Sequence, residues 1–346
     1  EATCENIGIL MFGTLFLKEC RQIGKSIVYY VFVACLLGFF LSQLGAESWE
    51  LEKPEPGQAD YGSTYTDDGQ IIMERTAGAL ALDYMQNRYA AYPLGFYRSV
   101  ALSGEKQAQM DGIMRELTGC SEEELDALIR EYIREAEANS EEGVVIVPDV
   151  PVSGTLSYER FRELMDQVNR LIGGHSAYDP EYLEHSTRVP QTYEGALEEY
   201  SAIVEKDRYT GAFARIFCDY MGLLLSLLPV FLAVARILKD KRAQASQVIW
   251  SKRASSSCIL LSRYLAALAM TMLPVILTAA CCHFRCASAA AAAGIPADQL
   301  AFVKYIAGWL LPGAAFTLAA GFLISELTEG IWAVLFHGLF WFYSIF

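Results

Sequence analysis

FARIFCDYMGLLLSLLPVFLAVAR, Phe213 to Arg236, runs directly into ILKDKRAQASQVIWSKRASSS, Ile237 to Ser257, and this stretch decides how the rest of the chain reads. The first segment is an almost unbroken apolar run, and a bilayer core about 30 Å thick is crossed by about 20 such residues in a helix. The second carries Lys239, Lys241, Arg242, Lys252 and Arg253 against a single acid, Asp240. Short loops left on the cytosolic side are enriched in Lys and Arg. The pair therefore reads as a membrane span closed by an inner loop.

Four further apolar stretches lie outward from it, at Ser26 to Gly45, Cys258 to Phe284, Phe302 to Ile324 and Ile331 to Phe346. The first three are long enough to span. The last, ending at Phe346, is too short, and the chain is read as incomplete at its C-terminal end. Lys18, Arg21 and Lys25 precede the first span, while Arg236 and Arg263 add to the basic loop. Both basic segments are placed inside. Residues 1–25 are then a cytosolic interfacial helix, 26–45 span one, 46–212 an outer domain and 213–236 span two. Residues 237–257 form an inner loop and 258–346 spans three to five, with an outer loop at 285–301 and an inner turn at 325–330. The stretch from Lys18 to Ala46 is read as an uncleaved span and not a secretory signal, because its apolar run has full spanning length and Leu44 suits a cleavage site poorly.

The fold class that follows is an all-α membrane protein: a polytopic helical bundle with a large, mainly helical extracytoplasmic domain between spans one and two. Charge is segregated accordingly. Residues 46–212 hold 33 of the 41 acids and 14 of the 27 bases, although the whole chain is 53% hydrophobic. So acidic an insert argues against nucleic acid as a partner, since a phosphate backbone calls for clustered bases. Of nine cysteines only Cys120 lies in the insert, so an apolar core and not a disulfide must hold it.

Three one-sided helices are predicted in the insert. One follows Ser103 with Met110, Ile113, Met114 and Leu117 and ends at Gly119. The next opens on Ser121 and Glu124, spaced as a capping box, and continues through Leu125, Leu128, Ile129, Tyr132 and Ile133. The third starts near Ser157, lines up Phe161, Leu164, Met165, Val168, Leu171 and Ile172, and stops at Gly173 and Gly174. Val144 to Val147 reads as a short strand or extended segment, and residues 50–70 as an irregular linker. A helix from Tyr193 runs toward span two and is expected to continue into it.

Chemistry-bearing patterns are sparse. Cys281, Cys282, His283 and Cys286 have metal-like spacing, but no second ligand pair follows, and small thiols also pack well in helices. His175, Asp179, Glu181, Glu184 and His185 read as a solvated loop after a helix end. Gly24-Lys25-Ser26 echoes a phosphate loop but has Glu19 where the first glycine belongs. The expectation is no catalytic residue, no cofactor and no metal. Candidate intramembrane polar residues are Asp219, a turn from Arg215 as a possible partner, Glu326 and His337, and interfacial snorkelling or inward packing is the favoured reading for all of them because end positions are cheap.

Phe217 to Pro229, Lys241-Arg242, Trp250-Ser-Lys-Arg-Ala-Ser-Ser, Leu261-Ser-Arg-Tyr-Leu and Leu15-Phe-Leu-Lys-Glu-Cys-Arg together resemble the permease subunits of ABC type-2 transporters from Gram-positive bacteria. The resemblance implies a multi-pass cell-membrane protein of six spans that pairs with a second permease subunit and with a separate cytosolic ABC ATPase. Residues 1–25 would be its elbow helix. Gln247, Val248, Ile249, Trp250, Ser251, Lys252 and Arg253 would form the coupling segment that touches the ATPase. The rival reading is a membrane-anchored receptor or immunity protein that binds an extracellular peptide without transport. A third, a membrane enzyme, would have only Asp219, His283 and Arg285 to work with.

Overall fold

The computed structural model describes residues 2–45, 51–138, 148–244, 255–328 and 331–345, and these are mostly helical. The chain divides into two compact units, one made of residues 1–54 and 197–346 and the other of residues 55–196. The first begins with α1 (Ala2–Ile23), a turn at Gly24 and Lys25, and α2 (Ile27–Leu44).

The second unit is built on β1 (Ser63–Tyr65), α3 (Gly69–Gln86), β2 (Tyr89–Ala91), β3 (Arg98–Val100), α4 (Gly104–Thr118), α5 (Glu122–Ala138), α6 (Tyr158–Ile172), α7 (Pro180–Ser186) and β4 (Arg188–Pro190). The strands form two antiparallel pairs, β1 with β4 and β2 with β3. Its core joins Leu80, Met110, Met114, Leu117, Phe161, Leu164, Met165 and Val168. Helices α4, α5 and α6 lie where the apolar spacing predicts them. The capping box is made: Ser121 N–H donates to Glu124 Oε2 at 2.9 Å and Glu124 N–H to Ser121 Oγ at 3.3 Å. Ser157 Oγ likewise accepts from Arg160 N–H at 3.2 Å, and Gly173 ends α6 at φ 114°. Residues 144–147 lie outside the described residues.

Helix α3 is the longest element that the sequence reading omits; α7 and the four short strands are the others. Helix α3 packs on α4, α5, α6 and α7 and so occupies the middle of the unit. The linker predicted over 50–70 stops at Asp68, whose carboxylate caps α3 by accepting from Gln70 N–H at 2.9 Å. Gly69 serves a close approach there and not a loop, because a Cβ would stand 2.9 Å from the Tyr158 ring.

The chain returns to the first unit through α8 (Tyr193–Ser201) and a π-helical turn at Ala202–Lys206. It does not run on into the next helix as expected. Arg208 and Tyr209 take left-handed φ values of 46° and 58°, which end the helix and start a new one at Thr210. Then come α9 (Thr210–Leu225), α10 (Pro229–Arg242), α11 (Ser256–Ala293), α12 (Ala301–Tyr305), a π turn at Ile306–Leu310, α13 (Leu311–Leu327) and α14 (Ile331–Ile345).

Four helical segments are long and apolar enough to cross a membrane: Ile27–Leu44, Thr210–Arg242, Ser256–Ala293 and Ala301–Leu327. The apolar α14 is shorter. Helix α11 runs 38 residues, well past the expected end at Phe284, because the tract from Ala289 to Ala293 is made of the best helix former and only Gly294 stops it. The unit is packed around Leu36, Ala214, Phe217, Met221, Val275 and Leu318. Gly321 lets α13 close on α10, since a Cβ there would lie 3.1 Å from both Ala233 Cβ and Val230 Cγ2.

Candidate functional site

Four charged side chains meet inside the first unit where α1, α10 and α11 converge. Glu19 of α1 accepts a two-pronged pair from Arg236 of α10, Nε to Oε2 at 2.6 Å and Nη2 to Oε1 at 2.8 Å. Arg263 of α11 reaches the same carboxylate, Nε to Oε1 at 3.3 Å. Asp240, one turn after Arg236, pairs with Arg236 Nη1 and lies 2.7 Å from Arg263 Nη2, the latter contact without hydrogen-bond alignment. Two acids and two bases thus close a neutral ring. Glu19 is 8% and Arg236 9% exposed.

Such burial is expensive for each charge alone, and only mutual pairing with good geometry offsets the loss of water. Burial pushes the Glu19 carboxyl up, but hydrogen bonding and charge from Arg236, and then Arg263, more than offset this and hold it below its ordinary value. The ring has a mechanical consequence. Arg236 and Asp240 lie near the end of α10 and Arg263 near the start of α11, so both flanks of the connecting segment are fastened to α1. A further tie joins α10 to the end of α13, where Lys241 Nζ donates to the carbonyls of Ser325 at 2.9 Å and Thr328 at 3.0 Å.

The second irregular place is the break between α9 and α10 at residues 226–228. Pro229 has no N–H and its ring crowds the carbonyl four residues back, so the helix cannot pass through unchanged. Val230 N–H turns to Leu227 O at 3.4 Å, leaving the Ser226 carbonyl outside the helical ladder. Side chains from neighbouring helices take up that group. The buried His337 of α14 places Nε2 2.7 Å from Ser226 O, and Thr317 Oγ1 of α13 donates to the same carbonyl at 3.4 Å. Trp341 Nε1 donates to Ser226 Oγ at 2.8 Å. Broken helices survive in apolar surroundings only when the freed backbone groups are satisfied in this way.

The three candidate intramembrane polar residues have different fates. His337 is a buried partner of the break. Asp219 is exposed on α9; Arg215, its expected partner, pairs instead with Asp207. Glu326 is exposed near the end of α13 and does not join the other two. The expected coupling residues Gln247, Val248, Ile249, Trp250, Ser251, Lys252 and Arg253 lie outside the described residues.

The cysteine cluster is split around α11: Cys282 and Cys286 are buried and Cys281 is exposed, while His283 Nε2 sits 3.2 Å from Gln299 Oε1. The loop expected around His175, Asp179, Glu181, Glu184 and His185 is instead largely helix α7, because Asp179 caps it through Glu181 N–H at 3.1 Å with Pro180 at its first position, and Glu184 pairs with Arg162 at 3.1 Å. Among the described residues no three His, Cys, Asp or Glu side chains gather as a metal would require. The ion ring itself went unread in the sequence. Its one local sign is the lone acid Asp240 among bases, four residues after Arg236.

Comparison of the chain with protein-family models, with curated proteins and with solved structures finds no match in any of the three.

Proposed function

We propose that this chain is the membrane subunit of an ABC exporter, forming the transmembrane pathway and drawing its energy from a separate cytosolic ATPase. The observation that carries this reading is the ion ring of Glu19, Arg236, Asp240 and Arg263. A permease driven from outside itself must pass a push on a short inner connector to several helices at once. The ring fastens both flanks of the 243–255 segment to each other and to the interfacial helix α1, so displacement of the connector moves three helices as one body. A simple anchor has no use for that linkage, which costs desolvation and confers registry.

In this reading α1 lies along the inner membrane face, residues 247–253 meet the ATPase, residues 46–212 stand outside the cell membrane, and a second permease subunit completes the pathway. Transport follows by population shift: closure of the ATPase on ATP favours one packing of the helices over the other. The test is purification of the full chain together with the products of its neighbouring genes, among which an ABC ATPase is expected. Wild type is expected to bring the ATPase through two affinity steps, and Trp250→Glu to lose it while keeping its own elution profile. A wild-type chain that never carries an ATPase overturns the reading.

A further inference from the structure

A cavity of ≈ 520 Å³ opens beside α9, and a carboxylate stands in its wall. Asp219, Gly222 and Ser226 line it, spaced by three and four residues and so on one face of the helix. Asp219 is exposed and makes no ion pair or hydrogen bond among the described residues. On a helix apolar enough to span a membrane, an ionised group without a partner is costly and calls for a positive charge from elsewhere.

Three aromatic rings share the remaining walls with Leu223, Leu225, Leu310 and Gly313. Trp309 projects from the π turn that interrupts the fourth long helix, and it is 49% exposed. It lies against α9 at Gly222, where a Cβ would stand at an ordinary contact distance of 3.8 Å from Trp309 Nε1. Trp341 is held by its hydrogen bond to Ser226, and Tyr220 contributes a third ring, braced against Phe39 at 6.3 Å between centroids. The π turn has its own cause. Pro312 lacks an N–H and would crowd the carbonyl of Gly308, and Leu311 N–H instead reaches back five residues to Ile306 O. Turns of this kind concentrate at functional sites. Here the helix break, the π turn and the unpaired acid all face one space.

Aromatic side chains beside one carboxylate favour a particular ligand. A carboxylate attracts a positive charge, aromatic rings can add to that attraction through their π faces, and apolar walls accept a hydrocarbon body. We propose that this cavity binds a monovalent organic cation with an apolar body. The proposal deepens the exporter reading, and rests on it for transport, by naming the class of substrate carried.

Two probes of nearly the same size and opposite charge test it: tetraphenylphosphonium and tetraphenylborate. The full chain would be placed in phosphatidylcholine nanodiscs, with empty discs subtracted. Saturable binding of tetraphenylphosphonium is expected, weakened at least tenfold by Asp219→Asn, weakened by Trp309→Leu and kept by Asp219→Glu. No saturable tetraphenylborate binding is expected. The proposal is overturned by absence of a saturable cation site, by equal binding of the two ions, or by an Asn variant that binds as wild type does. It is also overturned if Asp219→Asn changes the oligomeric state, which would make a second copy the partner of the acid. Should the Asn variant not fold, the contrast between Asp219→Glu and Trp309→Leu decides. Copurification of the ATPase is scored separately: its loss with cation binding intact defeats the exporter reading alone, and the converse defeats only the cation site.

Discussion

Asp166 with Arg170 in α6, and Arg236 with Asp240 in α10, are the same two residue types four apart on a helix, one pair in each unit. In α6 the side chains are 49% and 68% exposed. In α10 Arg236 is 9% and Asp240 19% exposed, and each touches a further charge from another helix. Water screens the first pair and makes either partner comfortable alone. Around the second there is little water, so each charge depends on the others. Sequence spacing is identical in kind; what separates a solvated decoration from a structural clamp is what the rest of the chain folds over it.

The largest effect is expected where the comparison is broken most severely. Arg236→Ala leaves Glu19 and Asp240 buried together with only Arg263, and removal of one partner from a buried network costs about 3–5 kcal/mol. Thermal unfolding of the detergent-purified chain should show this as a clear fall in Tm. Glu19→Gln keeps shape and loses charge, and should fall less. Acid does the same work reversibly. The folded Glu19 carboxyl lies below its ordinary value, so the stability it contributes is whole above the unfolded carboxylate's pKa of about 4.3 and drains as pH falls through the lower folded value. A Tm profile of wild type should therefore drop in that acid range more steeply than that of Glu19→Gln. Identical profiles would remove Glu19 from the clamp.

The second unit should respond chiefly through its apolar core. Leu164 is 1% exposed, and Leu164→Ala should cost about 2–5 kcal/mol through lost burial and the cavity left behind. Hydrogen exchange at α6 amides in the full chain reads this directly. Ser157→Ala removes only the cap on Arg160 N–H and should cost about 1 kcal/mol by the same measurement.

What could be read from the chain in advance divides along the same line. Helices α4, α5 and α6 are legible because each carries one apolar stripe with a polar back and a local stop, such as Gly119 or Gly173. Helix α3 also has a stripe, at Ile72, Met73, Thr76, Ala77, Leu80, Ala81 and Tyr84, but its middle is written in Thr and Ala, small residues that let neighbours close in and that give little signal in a string. The apolar spans are legible by length alone, whereas the break at Ser226 shows only as Pro229. Least legible is the ion ring. Glu19 and Arg236 are 217 residues apart, and each in isolation looks like an ordinary charge at a membrane edge. Asp219 was visible as an unusual acid, but its aromatic surroundings come from helices that no local pattern brings together.

The smallest expected effect is the sharpest check on the comparison. In α6 Asp166 precedes Arg170, the order that suits the helix dipole, and Arg170 sits in the last turn where a positive charge is favoured by itself. Arg170→Ala alone therefore removes two favourable terms, and only a double-mutant cycle with Asp166→Ala isolates the pair. Its coupling should be about 0.3–0.5 kcal/mol and should fade in high salt, because both groups remain in water. The corresponding cycle for Arg236 and Asp240 should give several times that value and little salt dependence. Equal couplings would mean that burial is not what distinguishes the two pairs, and the clamp would lose the physical basis on which the proposed coupling rests.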